Sequence, residues 1–318
     1  MNIDRISVSD FSQEHLNSVL AEKTQHRVNW LDRHKETILA DTSESVALQG
    51  IQTPWSKLQD KVVLQFGCIS TWIGIDGHKK SSVLNQIVAF AAKDHVVGLC
   101  SLEMDVRSIG ELLCKQSLGA TDPTNELKAQ YLDWSANRIL VYDHVGTVKA
   151  LEVYALILKM VRDYGARFIV IDCLQMVEGV CGDNEKERGF YAMLVSLAKG
   201  FNVHLAVVHH ARKPEKGGDE YVPTRFDALG SGAISQLSSI LAIVWSDKKK
   251  QRLQELQKIG EYISEEDLVH LSKPDTKLVI AKNRHIPWEN TVGLWQHPSR
   301  QFVGGPNLQR IHFEMSER

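Results

Sequence analysis

Two kinds of apolar pattern alternate along the chain. Short, nearly continuous apolar runs occur in "CISTWIG", "HVVGLCSLE", "NRILVYD", "RFIVID", "VHLAVVHH", "SSILAIVW" and "TKLVIAKNR". Runs of that length and composition predict strands, several of them buried on both faces. Between them lie longer stretches with apolar residues at three- and four-residue spacing: "SSVLNQIVAFAAK", "VRSIGELLCKQSLG", "TVKALEVYALILKMVRDYG" and "ERGFYAMLVSLAKG". These predict amphipathic helices, with Gly119 and Gly165 near two of the C-terminal ends. The alternation predicts an α/β fold: a mostly parallel central sheet with helices on both faces.

The two ends of the pattern differ from its middle. Residues 1–48 are polar, with Leu16, Val19, Leu20, Trp30, Leu31, Ile38 and Leu39 at helical spacing. That segment has little apolar mass and predicts a helical linker that packs on another surface. The turn-like "LQGIQTPW" follows it, and residues 49–318 predict one domain. A charged stretch from Asp247 to Asp275 interrupts the alternation as a helical surface insertion.

Composition narrows the class only a little. At 43% apolar and 24% charged residues the chain reads as globular rather than disordered. No apolar run reaches the roughly 18 residues of a bilayer span, and the first residues lack a secretory signal pattern. The expectation is a cytoplasmic protein with no membrane partner. Its five scattered cysteines predict small buried residues in a reducing compartment, not a disulfide framework. A net charge of −2 leaves nucleic acid open as a partner, through a local groove or a ring interior.

Ligands of α/β sheets sit beyond the carboxyl ends of the strands, so the residues there carry the candidate chemistry. After the first run, "GIDGHKKSS" nearly spells G-x-x-x-x-G-K-[ST], a loop that wraps phosphates with backbone N–H groups. Gly74, Lys80 and Ser81 fit, but Lys79 stands at the second glycine. Glu103 follows the second run, as a base for water or as a helix-capping acid. Asp172 ends "FIVID", as a Mg²⁺ carboxylate or a cap. His210 follows "VHLAVVH" as a phosphate sensor or a structural histidine. Arg212, Lys213 and Lys216 occupy a glycine-containing loop suited to a nucleic-acid backbone. Lys282 and Arg284 end a late run, far along the sheet from the loop. There an arginine serves a neighbouring subunit as a finger, or is an ordinary surface residue.

Taken in order, "GIQTPWSKL", "GIDGHKKSS", "CSLEM", "VIDCLQ", "HHARKPEKG", "LGSGAISQL", "KNR" and "LWQHPSRQF" resemble the ATPase domain of DnaB-type ring-shaped replicative DNA helicases, from about Gly50 to Val303. The likeness is greatest to the phage and prophage branch, with the helicase half of phage helicase–primases and the mitochondrial helicase Twinkle. The resemblance implies a RecA-type P-loop NTPase core with an N-terminal helical linker that docks on the adjacent protomer. It also implies a hexameric homo-oligomer using ATP and Mg²⁺ to move on single-stranded DNA, in a bacterial host's cytoplasm, with a separate primase and a loader.

By match to the family's motifs, Gly74, Gly77, Lys79, Lys80, Ser81 and Ser82 would form the phosphate loop, with Ser81 and Asp172 on the metal. Glu103 would be the catalytic base, His210 the sensor and Arg284 the finger, with Lys282 beside it. Gln236 would couple nucleotide state to DNA, and Arg212, Lys213 and Lys216 would line the channel. Lys79 departs from the family's glycine, where a side chain costs strain of order 1–3 kcal/mol. Two alternatives stay open. One is a catalytically silent RecA-fold ring component that binds DNA or assists helicase loading. The other is a recombinase- or clock-type ATPase of the same fold.

Overall fold

The computed structural model of this chain describes residues 12–24, 49–211, 220–227, 232–313 and 315. Its strands are β1 (Gly50–Gln52), β2 (Val63–Gln65), β3 (Ile69–Gly74), β4 (Val97–Ser101), β5 (Ile139–Val141), β6 (Phe168–Asp172), β7 (His204–His210), β8 (Ile240–Ser246), β9 (Thr276–Asn283), β10 (Thr291–Gln296) and β11 (Phe302–Val303). Its helices are α1 (Gln13–Thr24), α2 (Lys80–Ala91), α3 (Val106–Leu118), α4 (Asn125–Ser135), α5 (Ala150–Arg162), α6 (Asn184–Phe201), α7 (Gly232–Leu237), α8 (Lys248–Lys258) and α9 (Glu265–Leu271).

Nine strands form one sheet in the order β11-β10-β9-β8-β3-β7-β6-β4-β5. Neighbours from β8 through β5 pair in parallel, and β9, β10 and β11 add antiparallel pairs at one edge. The predicted α/β class and mostly parallel sheet are borne out. Alternation along β3 shows why its run is apolar throughout. Trp72 packs into one core with α2 and α3, while Ile69 and Ile73 point into the other with α5 and α6.

Helix ends follow local chemistry. Asp105 caps α3 by accepting from the Ser108 amide, and left-handed Gly119 closes it. Asp183 caps α6 through the amides of Glu185 and Lys186, and left-handed Asn202 ends it. The N-terminus of α2 has no side-chain cap, so its orphan N–H groups point into the space beyond β3.

Several elements go beyond the apolar pattern. The stretch read as a turn contributes β1, which pairs with β2; three-residue strands are too short to show a period. Helix α4 buries only Tyr131, so it carries no apolar stripe to read. Strands β10 and β11 extend the sheet past the last predicted strand. The charged insertion forms the helices α8 and α9, as predicted. In the N-terminal segment only α1 is described, and its Leu16 and Val19 pack into the core beside α6 of the same chain. The predicted positions Trp30, Leu31, Ile38 and Leu39 lie outside the described residues.

The pairing decides which residues share an edge. β3, β4, β6, β7 and β8 run the same way, and β10 joins them through two antiparallel steps. Gly74, Ser101, Asp172, His210, Ser246 and Gln296 therefore end on one edge of the sheet. β9 runs against β8 and sets Asn283 beside Ile240, at the other edge.

Candidate functional site

The loop from β3 to α2 crosses the carboxyl edge. Its first glycine, Gly74, is required by packing: a Cβ there would collide with the Val244 carbonyl oxygen on β8. Gly77 has φ +73°, and its carbonyl accepts a 2.8 Å bond from Lys248 Nζ at the start of α8. His78 is buried against Ser246, whose amide donates to His78 Nδ1 at 3.1 Å. These contacts fix the loop from the side of the charged insertion.

Lys79 adopts φ +65° and ψ +24°, the left-handed conformation that glycine takes without strain. Its side chain leaves the loop and donates to Gln296 Oε1 at the end of β10. Burial pushes its ammonium down to about 8; Asp275 opposes that shift, and the cations Lys248, Arg300 and Lys250 add to it. The extra bulk expected of this residue thus lies along the β9–β10 wall, and the strain lies in the backbone.

Lys80 opens α2, nearly buried, with Nζ donating to the Ile75 carbonyl at 3.1 Å. Burial lowers its pKa, opposed by Asp172, Asp76 and Glu103. Ser81 donates its hydroxyl to Asp172. Asp172 is itself buried, and burial raises its carboxyl to about 6, with Glu103 adding to the rise and Ser81 and Lys80 opposing it. Its Oδ1 has no hydrogen-bond partner. An unpartnered buried carboxylate oxygen beside a hydroxyl fits a hard divalent cation, whose preferred ligands are oxygens.

Glu103 lies two residues beyond β4. Its Oε1 accepts from Cys173 Sγ at 3.0 Å and stands 3.6 Å from His210 Nε2. Burial lowers the His210 pKa, as does Lys80, while Glu103 raises it. A carboxylate oriented by a thiol and an imidazole, at the mouth of a phosphate loop, can accept a proton from water.

The structure thus brings Gly74, Gly77, Lys80, Ser81, Glu103, Asp172 and His210 together, with Ser82 in the first turn of α2. It sets Gln236, Lys282 and Arg284 apart, at the opposite edge. Lys282 Nζ donates to the carbonyls of Ser235 and Ser238, and Arg284 donates to the Gln236 carbonyl at 2.5 Å. The Gln236 residue is exposed. Strand β8 separates the two groups by roughly 20 Å, at about 3.3 Å per residue. Arg212, Lys213 and Lys216 lie outside the described residues. The sequence reading missed Cys173, read only as a buried apolar residue, and the set Lys248, Asp275 and Gln296. None has a signature spacing, because each meets the site only through the fold.

The family "DnaB-like helicase C terminal domain" matches residues 74–303. The chain belongs to the DnaB-like helicases. That membership supports an ATP-dependent helicase and accounts for the phosphate loop and its carboxylates. Among solved structures, the ATPase domain of a phage helicase superposes with a TM-score of 0.69 at 18% identity, over 87% of this chain and 99% of that one. A structure described as "a DnaB-Like Replicative Helicase And Its Interactions With Primase" gives a TM-score of 0.63 at 17% identity, over 92% and 71%. At those identities the likeness is one of fold, the RecA-like core of the DnaB C-terminal domain. No curated protein matches the chain in sequence. Among the described residues, no helix is long and apolar enough to cross a membrane.

Proposed function

We propose that this DnaB-like helicase is an ATP-driven replicative motor that moves along single-stranded DNA as a hexameric ring. In this reading it works with a separate primase and a loader. The observation that carries the proposal is the convergence of Lys80, Ser81, Asp172, Glu103 and His210 on the uncapped N-terminus of α2. Oriented N–H groups and a buried lysine suit the phosphates of ATP.

Asp172 and Ser81 would hold Mg²⁺, which when bound neutralises charge building on the phosphates. Glu103 orients the attacking water and takes its proton; Cys173 and His210 keep that carboxylate in place. His210 senses the terminal phosphate. Gln236 links nucleotide state to DNA, and Arg212, Lys213 and Lys216 contact the strand.

Arg284 faces away from its own loop. A head-to-tail ring apposes different surfaces of adjacent subunits, which suits an arginine offered to the neighbour's phosphates, with Lys282 bracing the backbone beside it. In this reading residues 1–48 are a linker that can also dock on that neighbour.

The left-handed backbone at Lys79 favours a second reading, a silent ring component that binds DNA or assists loading. ATP hydrolysis with and without single-stranded DNA, for this chain and for Lys79→Gly, separates the two. DNA-stimulated turnover in the chain as it stands supports the motor. Turnover only in Lys79→Gly marks a disabled loop, and silence in both favours the non-catalytic component.

A further inference from the structure

Three metal-ligating atoms of different softness meet at the mouth of the nucleotide site. Glu103, Cys173 and His210 each offer one, and all three lie within 4.8 Å of one another. The thiol stands 3.0 Å from Glu103 Oε1 and the imidazole Nε2 3.6 Å from it. Tetrahedral zinc, with bonds of about 2.0–2.3 Å, needs ligand-to-ligand edges of about 3.5 Å. The two observed edges bracket that value.

We propose that Glu103, Cys173 and His210 form a Zn²⁺ site, and that its occupation switches the ATPase off. The second part rests on the reading of Glu103 as the base: a carboxylate ligated to zinc cannot accept a proton from water. Three protein ligands leave a fourth position for solvent. The metal replaces the proton that Cys173 now donates to Glu103, and that proton passes to solvent.

Ligand chemistry separates this site from that of Mg²⁺. Thiolate and imidazole select zinc-class ions, whereas Asp172 and Ser81 offer the oxygen ligands that Mg²⁺ takes. Access favours it too. Cys173 forms a buried floor, while the side chains of His210 and Glu103 keep 19% and 32% of their surface open. A second trio, Cys181, Glu187 and His209, also meets the distance criterion. Its Glu187 and His209 side chains are wholly buried, so it has no comparable open side, and it serves as the internal control.

The test is a Co²⁺ titration of the full chain without nucleotide, read by the thiolate-to-metal charge-transfer band and by Zn²⁺ displacement. One equivalent of Co²⁺ is expected to give the band. Cys173→Ser and His210→Ala should abolish it, and Cys181→Ser should keep it. In parallel, Zn²⁺ at constant Mg²⁺ should slow ATP hydrolysis by at least about tenfold, reversibly with a chelator. Cys173→Ser should turn over at the same rate with and without Zn²⁺, whatever that rate is. Absence of the band in the unaltered chain, or its survival in Cys173→Ser with a native circular dichroism spectrum, overturns the site. A Zn²⁺-indifferent ATPase with the band present overturns the inhibition. The band with no hydrolysis under any condition keeps the metal site and overturns the reading of Glu103 as a base.

Discussion

The Lys79 ammonium donates to Gln296 Oε1, joining the phosphate loop to the end of β10. This contact carries the side chain out of the loop, with Asp275 as its nearest opposing charge. The cost that remains is a left-handed backbone and a desolvated ammonium. Lys79→Gly relieves both. We expect it to raise stability without nucleotide by roughly 1 kcal/mol, since a non-glycine residue in that conformation costs about 1–2 kcal/mol. Denaturant midpoints check this; an unchanged or lowered midpoint shows that the Gln296 contact outweighs the strain. The lysine's lowered pKa, about 8, also sets a sign. A folded pKa below the unfolded value makes the charged form a burden that is relieved as pH rises above 8. The advantage of Lys79→Gly should therefore shrink between about pH 8 and 10.5.

At lower pH two buried groups oppose each other. His204 donates and accepts between the Gln65 carbonyl and the Ser70 hydroxyl, both at 2.8 Å, and burial holds it down at about 4. Its folded pKa lies below its ordinary 6.5, so stability is lost as pH falls from 6.5 toward 4. Asp172 is raised to about 6 from 3.8, so its folded form gains stability as pH falls through the overlapping window. Each displacement is worth about 3 kcal/mol at most. Stability measured against pH should therefore fall more steeply on acidification in Asp172→Asn than in the unaltered chain, and less steeply in His204→Asn. Parallel profiles for all three chains would show that neither group titrates as its burial requires.

Glu103→Gln keeps the shape of the side chain and removes the base. Turnover is expected to fall at least about hundredfold, within the range general-base catalysis supplies, with Mg·ATP binding nearly unchanged. Fluorescent-nucleotide titration beside a phosphate-release assay measures both. Equal loss of binding and turnover removes the base assignment.

Arg284→Ala should leave nucleotide binding to an isolated subunit intact and reduce turnover by a factor of about 10³, the scale of an arginine finger. Because Glu103 and Arg284 lie at opposite edges, the two defects belong to different subunits' contributions to one site. Mixing Arg284→Ala with Glu103→Gln should restore part of the turnover, at interfaces that pair an intact Glu103 with an intact Arg284. No recovery in demonstrably mixed rings excludes the shared site.

Much of this protein was readable along the chain. Period and composition determine the α/β alternation, because strands buried on both faces need continuous apolar runs and covering helices need apolar stripes. The ordered motifs placed Gly74, Lys80, Ser81, Glu103, Asp172 and His210 after the strands whose ends form one edge. What depends on packing between distant segments was not readable. β1, β2 and α4 carry too few buried residues to show a period. The opposite placement of Arg284 follows from β9 running against β8, a direction set by sheet pairing. The escape of Lys79 along Gln296 needs β10 beside the loop, 217 positions away. The meeting of Cys173 with Glu103 spans 70 positions, and no spacing rule covers it. Local propensity is a property of neighbouring residues, and the sequence determined it. Which distant side chains share a few ångströms is decided by strand order and direction, and only the tertiary structure contains that.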